Sequence, residues 1–426
     1  MDPAISATPD SKQSAAARGI RTVAFFLPQF HPIPENDAWW GKGFTEWTNV
    51  TKAAALFPGH YQPHYPADLG YYDLRLTETR HEQIAMARSY GIDAFCYHYY
   101  WFSGKRLLNR PLDEMLADSE SNMPFCLCWA NENWTRRWDA AEHEILIAQN
   151  YLPDDDLKFI RDLTPYLSDA RYLRFDGVPL LIVYRPQQLP DPRKTASIWR
   201  DYCKANGIGE IYLCAALTHG NFDYSAFGFD SGVEFPPHNL TVRGRDDRLA
   251  FSQPFLGHAV MFHDIAESYL KRTYTAANVF RCVFPSWDNT ARTGNRALIV
   301  LNGTPANYEY WLSEAIRRTA MDFPGKERLV FINAWNEWAE GCHLEPDQKF
   351  GRQFLEATRF SVLGISRWTD FSDKEIPEQE QPGGWSLLGH LTALVTHHYF
   401  RYKRRLIFKI HQMPRIKRIV KFLLLR

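Results

Sequence analysis

Two glutamates three residues apart follow directly on an apolar run in Phe331-Ile332-Asn333-Ala334-Trp335-Asn336-Glu337-Trp338-Ala339-Glu340-Gly341. If the chain turns helically after Trp335, Glu337 and Glu340 share one face with Cβ atoms roughly 5–6 Å apart. Carboxyls that close repel each other and split their pKa values, so that one keeps its proton while the other ionises near neutral pH. Cleavage of a glycosidic bond needs such a pair, one carboxyl protonating the leaving oxygen and the other acting as base or nucleophile. The spacing alone also fits a solvated helix face. The flanking tryptophans and asparagines favour a site, because they bring flat apolar faces and amide groups to the end of a strand.

Positioning such a pair takes a scaffold. Short apolar or aromatic runs predict strands at Val23–Leu27, Asp93–Tyr99, Pro124–Ala130, Pro179–Tyr184, Glu210–Ala216, Ser231–Phe235, Val279–Phe284 and Leu329–Ala334. Helical patterns fall at Thr77–Tyr90, Pro111–Ser119, Asp154–Leu167, Pro192–Asn206, Gly257–Tyr274, Asn307–Asp322 and Phe350–Leu363. Eight strands alternating with helices predict an α/β fold, a parallel (β/α)8 barrel whose ligand face lies at the C-terminal strand ends. Residues 31–73 form a long aperiodic excursion after the first strand, expected to be a loop over the barrel mouth. The excursion 236–253 carries Arg243, Arg245, Asp246, Asp247 and Arg248 and reads as a mobile loop.

In a barrel, the strand ends converge. They carry Gln29 and His31; Tyr97, His98, Tyr100 and Trp101; Trp129, Asn131, Glu132, Asn133 and Trp134; then Tyr184, Glu234, Trp287 and Asp288. Amide, imidazole, hydroxyl and carboxyl groups beside aromatic rings are the chemistry of sugar recognition. A metal is the competing reading, since His31, His64, His98, Glu132 and Glu234 have donor atoms. None stands in an HExxH or paired-histidine spacing, so no metal is expected. No glycine-rich phosphate loop follows any strand, and no cofactor is expected.

Aromatic residues make up 15% of the 426 residues, with 14 tryptophans and 21 tyrosines. That exceeds what aliphatic barrel layers need and suits a sugar cleft. Ten basic residues and no acid lie from residue 401 onward, leaving 39 basic against 49 acidic residues elsewhere, a net of about −10. An acidic body argues against a nucleic-acid partner. The expected organisation is a disordered N-terminus (1–20), a catalytic barrel (21–366), a linker (367–384) and a basic amphipathic tail (385–426). Such a tail suits an anionic membrane surface, or packing on protein. No apolar leader and no run of about 20 apolar residues are visible, and the seven cysteines lack a disulfide framework. The expectation is a cytoplasmic protein, peripheral on the inner face of the membrane if the tail binds there.

Several motifs together resemble the WbsX-type proteins of surface-polysaccharide gene clusters, whose domain is similar to glycoside hydrolase family 99, the endo-α-mannosidases. They are Phe26-Leu27-Pro28-Gln29-Phe30-His31-Pro32, Gly43-Phe44-Thr45-Glu46-Trp47, Tyr97-His98-Tyr99-Tyr100-Trp101, Trp129-Ala130-Asn131-Glu132-Asn133-Trp134 and Asn336-Glu337-Trp338-Ala339-Glu340-Gly341. The last maps onto the hydrolase family. The resemblance implies a (β/α)8 barrel and adds Glu46, Trp47, Asn336 and Trp338 to the residues expected at the substrate. It also implies that Glu337 deprotonates the sugar's own 2-hydroxyl, which attacks C1, while Glu340 serves the leaving group and then water. The result would be retention through a 1,2-anhydro sugar. The implied substrate is a surface-polysaccharide glycan of O-antigen type or a lipid-linked oligosaccharide, cleaved or transferred. A glycan-binding scaffold without turnover is the alternative of another class.

Overall fold

The computed structural model describes residues 19–136, 141–274, 278–323, 327–365 and 367–372. The basic tail, most of the linker and the chain before Gly19 lie outside the described residues. Eight parallel strands form the barrel: β1 (Ile20–Phe26), β2 (Ala94–Phe102), β3 (Phe125–Trp129), β4 (Val178–Val183), β5 (Tyr212–Leu217), β6 (Ser231–Glu234), β7 (Val279–Val283) and β8 (Arg328–Ile332). Each pairs with the next in chain order, and β1 closes the ring by pairing with β2 (Val23 opposite Ala94) and with β8 (Ile20 opposite Arg328). The expected (β/α)8 barrel is therefore the fold. All eight strands fall where the apolar runs place them, because a strand buried on both faces must be apolar throughout.

Helices α1 (Thr77–Ser89), α2 (Arg110–Ala117), α3 (Asp155–Leu167), α4 (Pro192–Ala205), α5 (Phe262–Leu270), α6 (Pro305–Asp322) and α7 (Gln353–Val362) are described in the connections and after β8. Between β5 and β6 the helical element is a single 3-10 turn, Ser225–Phe227. The helix expected over Gly257–Tyr274 is shorter than predicted. Its first residues, His258–Met261, pair in parallel with Leu298–Leu301 in a separate two-stranded sheet. Ala259, Met261, Ile299 and Leu301 of that sheet join Leu56, Phe57, Leu249 and Phe251 in a small second core, so burial overrides the helical pattern. The same core anchors the 236–253 excursion, expected to be mobile. There Asp246 accepts from the Ala259 amide, and Arg245 lies 3.6 Å from Asp264. The excursion 31–73 also holds two short helices, Pro34–Trp40 and Glu46–Val50.

Inside the barrel, Phe25 packs on Phe235 and Phe331 with ring centroids 4.7 and 5.6 Å apart, filling the space beneath the mouth. Beyond α7, Arg367 pairs with Glu309 of α6 at 2.6 Å, and buried Phe371 packs edge-on to Tyr310. All seven cysteines are buried and free. Among the described residues no helix is long and apolar enough to cross a membrane.

Candidate active site

After β8 the chain does not enter an α-helix. Asn336–Glu337 pairs with Cys342–His343 in a two-residue hairpin, joined by the 3-10 turn Trp338–Glu340 and by Gly341 in the left-handed region at φ +57°. The turn still brings Glu337 and Glu340 together, because a 3-10 turn has three residues per turn and aligns i with i+3. Asn336 fixes the hairpin to the barrel. Its side chain accepts from the Leu27 amide at 2.7 Å and donates to the Leu27 carbonyl at 3.0 Å, finishing β1 as a backbone neighbour would.

One cation binds both glutamates. Arg292, on the short helix Thr290–Thr293 after β7, donates to Glu340 Oε1 at 2.5 Å, to Glu337 Oε2 at 2.8 Å and to Glu46 Oε1 at 2.5 Å. Glu46 is fully buried, and its Oε1 also accepts from the Ala339 amide at 3.3 Å. Three carboxyls thus share one guanidinium, whose planar fork can reach several acceptors at once. Burial raises the pKa of Glu337 most; Arg292 opposes the rise, Glu340 and Glu46 add to it, and the carboxyl is pushed up to about 8. Beside it, His98 Nε2 lies 3.7 Å from Glu337 Oε1. Burial, helped by Arg292, lowers His98 to about 4, so the ring is neutral at pH 7, and its buried Nδ1 has no hydrogen-bond partner among the described residues.

These groups face a cavity of about 370 Å³, within the range of small-ligand pockets. Of the residues expected from sequence, Gln29, His98, Tyr100, Glu132, Asn133, Trp134, Tyr184, Trp287, Glu337 and Glu340 line it. The hairpin formed by Trp134–Arg136 and Ala141–Ile147 overhangs it with Trp134, Thr135 and Leu146. Glu132 is held by Arg185 at 3.1 Å, and Tyr184 bonds His238 at 2.7 Å.

Other expected residues stand behind the wall. Strand alternation sends His98 and Tyr100 inward but Trp101 outward, where its indole donates to Asp162 of α3 at 2.7 Å. Tyr97 packs on Phe26, and Trp129 stacks on Phe159 of α3 at 4.1 Å. Asn131 bonds Arg185 main chain, and Glu234 is buried against Arg281 at 3.0 Å. His31 is buried and does not line the cavity. Trp47 donates to the Tyr72 carbonyl and packs on Trp338, which donates to buried Glu345 at 2.6 Å. Glu46 and Asn336 act on the site through Arg292 and Leu27, as described above. Asp288 accepts from Thr290 and lies 2.6 Å from His60, facing a second cavity.

Residues that sequence reasoning missed include Arg292, Asn36, Trp40, His238, Thr293 and Asn333, all lining the cavity. Arg292 sits in Asn289-Thr290-Ala291-Arg292-Thr293-Gly294, beyond the Trp287-Asp288 strand end and without periodicity of its own. The available signal was electrostatic: three acids at one barrel mouth, two of them buried, need a cation.

Residues 22–358 match the model of a family described as glycosyltransferase WbsX. A curated relative from Xanthomonas campestris pv. campestris, called uncharacterized protein WxcX, is 47% identical over 338 residues. The match covers 79% of this chain and 49% of the relative, so the chain spans about half the length of the curated relatives it matches. Among solved structures, one titled glycoside hydrolase-like protein superposes with a TM-score of 0.51 at 14% identity, covering 80% of this chain and 93% of that one. A second, titled as the GH99 endo-alpha-mannosidase from Bacteroides thetaiotaomicron, gives a TM-score of 0.47 at 14% identity over 80% and 96% of the two chains.

Proposed function

The chain belongs to the glycosyltransferase WbsX family, and on that premise we propose that it is a carbohydrate-active enzyme working on glycosidic bonds of a surface polysaccharide, with retention through Glu337 and Glu340. The observation that carries this reading is the pair itself: two carboxyls gripped by one arginine at the rim of an aromatic-lined cavity.

The environment supports the roles that the resemblance implies. Glu337 is the deeper of the two, its side chain 9% exposed against 20% for Glu340. A carboxyl pushed up to about 8 is, once ionised, a far stronger base than an ordinary glutamate. That strength suits removal of a proton from a sugar hydroxyl, which then attacks C1 from within the same ring. Glu340, nearer to solvent, donates a proton to the leaving oxygen and later takes one from the incoming hydroxyl as it opens the bond between C1 and the attacking oxygen, which recovers its proton from Glu337. Arg292 steadies the negative charge that remains on the pair, and neutral His98 is placed to hydrogen-bond the reacting sugar.

Whether the incoming hydroxyl belongs to water or to another sugar separates hydrolysis from transfer. The family's description favours transfer to a glycan acceptor as the second reading. The substrate class proposed is an O-antigen-type glycan or its lipid-linked precursor, met at an anionic membrane surface through residues 385–426. Incubation with the host's surface polysaccharide and its lipid-linked precursors in ¹⁸O water, read by mass spectrometry, tests the proposal. Isotope in a new reducing end marks hydrolysis, and extension or exchange without isotope marks transfer. No product from any of these glycans, with binding intact, would replace the enzyme by a binding scaffold.

A further inference from the structure

Outside the catalytic cavity, beside a second one that shares Trp287 with it, two histidines and an aspartate meet. His64 comes from the excursion after β1, and His343 and Asp347 come from the segment after β8. All three side chains are buried. His64 Nδ1 lies 2.9 Å from His343 Nε2, and Asp347 Oδ2 lies 4.0 Å from the same nitrogen. One donor atom from each falls within 4.8 Å of the others.

The surroundings orient these atoms as a metal site would need. His343 Nδ1 is 2.9 Å from the Glu345 carbonyl, which can only accept, so the proton sits on Nδ1 and the Nε2 lone pair points at His64. Fixing one ring nitrogen on a carbonyl is the usual way a protein sets the tautomer of a ligating histidine. Asp347 Oδ1 is occupied by the amides of Lys349 at 3.0 Å and Phe350 at 2.6 Å, which leaves Oδ2 turned toward His343. Tyr61 stacks on the His64 ring at 4.3 Å and holds it in place. Both His64 and Asp347 border the second cavity, of about 330 Å³, which gives water access to a fourth position.

We propose that His64 Nδ1, His343 Nε2 and Asp347 Oδ2 bind a single divalent transition-metal ion, zinc in the first place, with the fourth position open to that cavity. Two imidazoles and one carboxylate suit zinc and its neighbours and do not suit calcium or magnesium, which take oxygen ligands. Bonds of about 2.0–2.2 Å in a tetrahedron set ligand atoms roughly 3.3 Å apart. The observed 2.9 and 4.0 Å reach that arrangement with shifts below about 1 Å. Binding moves the His64 proton from Nδ1 to Nε2 and needs no other change of charge on the rings.

The ion would tie the first excursion to the catalytic hairpin. His343 is paired with Asn336 in that hairpin and stacks on Trp338 at 3.7 Å, one residue from Glu337. The inference is independent of the reaction assigned above. The competing arrangement is metal-free, with His64 Nδ1 donating a proton to His343 Nε2.

The test uses the full chain without an affinity tag, stripped with chelator, reloaded with Zn²⁺ alone, desalted and measured by plasma mass spectrometry and thermal unfolding. The expected result is one zinc per chain and a rise of several degrees in Tm. In His64→Gln and Asp347→Asn, zinc retention should fall at least tenfold and the Tm response should vanish. Zinc-edge X-ray absorption of the unsubstituted protein should show two imidazole nitrogens, a readout that survives if either variant fails to fold. Less than a tenth of an equivalent of zinc, or undiminished binding in folded variants, would overturn the site in favour of the metal-free pair.

Discussion

Arg292 sets the electrostatics of the acid pair, and its removal separates several effects. Replacing it with Met leaves three carboxyls without their cation, a change that costs about 3–5 kcal/mol for a buried pair broken on one side. Because Arg292 holds Glu337 down, its loss should raise the Glu337 pKa beyond about 8. With an activated aryl glycoside, whose leaving group needs no proton from Glu340, kcat/KM of the parent chain should climb as pH rises and level off above about 8, since the base must be ionised and Glu337 ionises there. In Arg292→Met the whole limb should move to higher pH. A profile that instead falls through pH 8 would make Glu337 the acid and exchange the two roles. Glu337→Gln and Glu340→Gln should each lower kcat by roughly 10²–10⁴-fold with unfolding curves intact; near-normal turnover in either would remove it from the chemistry. At this scale the two glutamates were legible from their spacing together with their tryptophan and asparagine neighbours. The cation stayed hidden because it comes from another strand end, and so did the metal-site pair His64 and His343, 279 residues apart.

Among the elements, the hairpin after β8 depends on one glycine. Gly341 stands at φ +57°, and a Cβ there would meet the Asp288 main-chain nitrogen and oxygen at 3.0 Å. The close approach is functional: the Asp288 amide donates to the Glu340 carbonyl at 2.7 Å, so the β7 and β8 loops hold the acid pair and Arg292 in register. Gly341→Ala should cost about 2 kcal/mol or more, from the left-handed backbone and the crowding together. It should depress kcat more than KM by displacing Glu340; calorimetry and steady-state kinetics would check both. The barrel strands were legible because apolar runs that short and that β-branched or aromatic have few other fates. Strand alternation was less legible. Tyr97, Trp101 and Trp129 look like their inward neighbours in sequence, and only the register of β2 and β3 turns them to the helices. The strand His258–Met261 was misread as helix because its partner, Leu298–Leu301, lies about forty residues away.

For the whole molecule, charge is divided between an acidic body and a basic C-terminal segment. If that segment meets anionic lipid, the full chain should sediment with phosphatidylserine vesicles, less so as salt rises, and deletion of residues 383–426 should abolish it. Sedimentation unchanged by the deletion would assign the tail to protein contacts. Closure of the barrel has a consequence for biosynthesis. The first stave, β1, pairs with the last, β8, across Ile20 and Arg328. At translation speeds of about 5–20 residues per second, the ribosome needs roughly 15–60 seconds between those two residues. Throughout that interval one apolar edge of β1 has no mate and is open to aggregation. Soluble yield should therefore track the supply of chaperones that hold nascent chains. Because Glu337 and Glu340 are made after β8, a nascent chain that stalls before them has no acid pair and, on the function proposed above, no action on glycans.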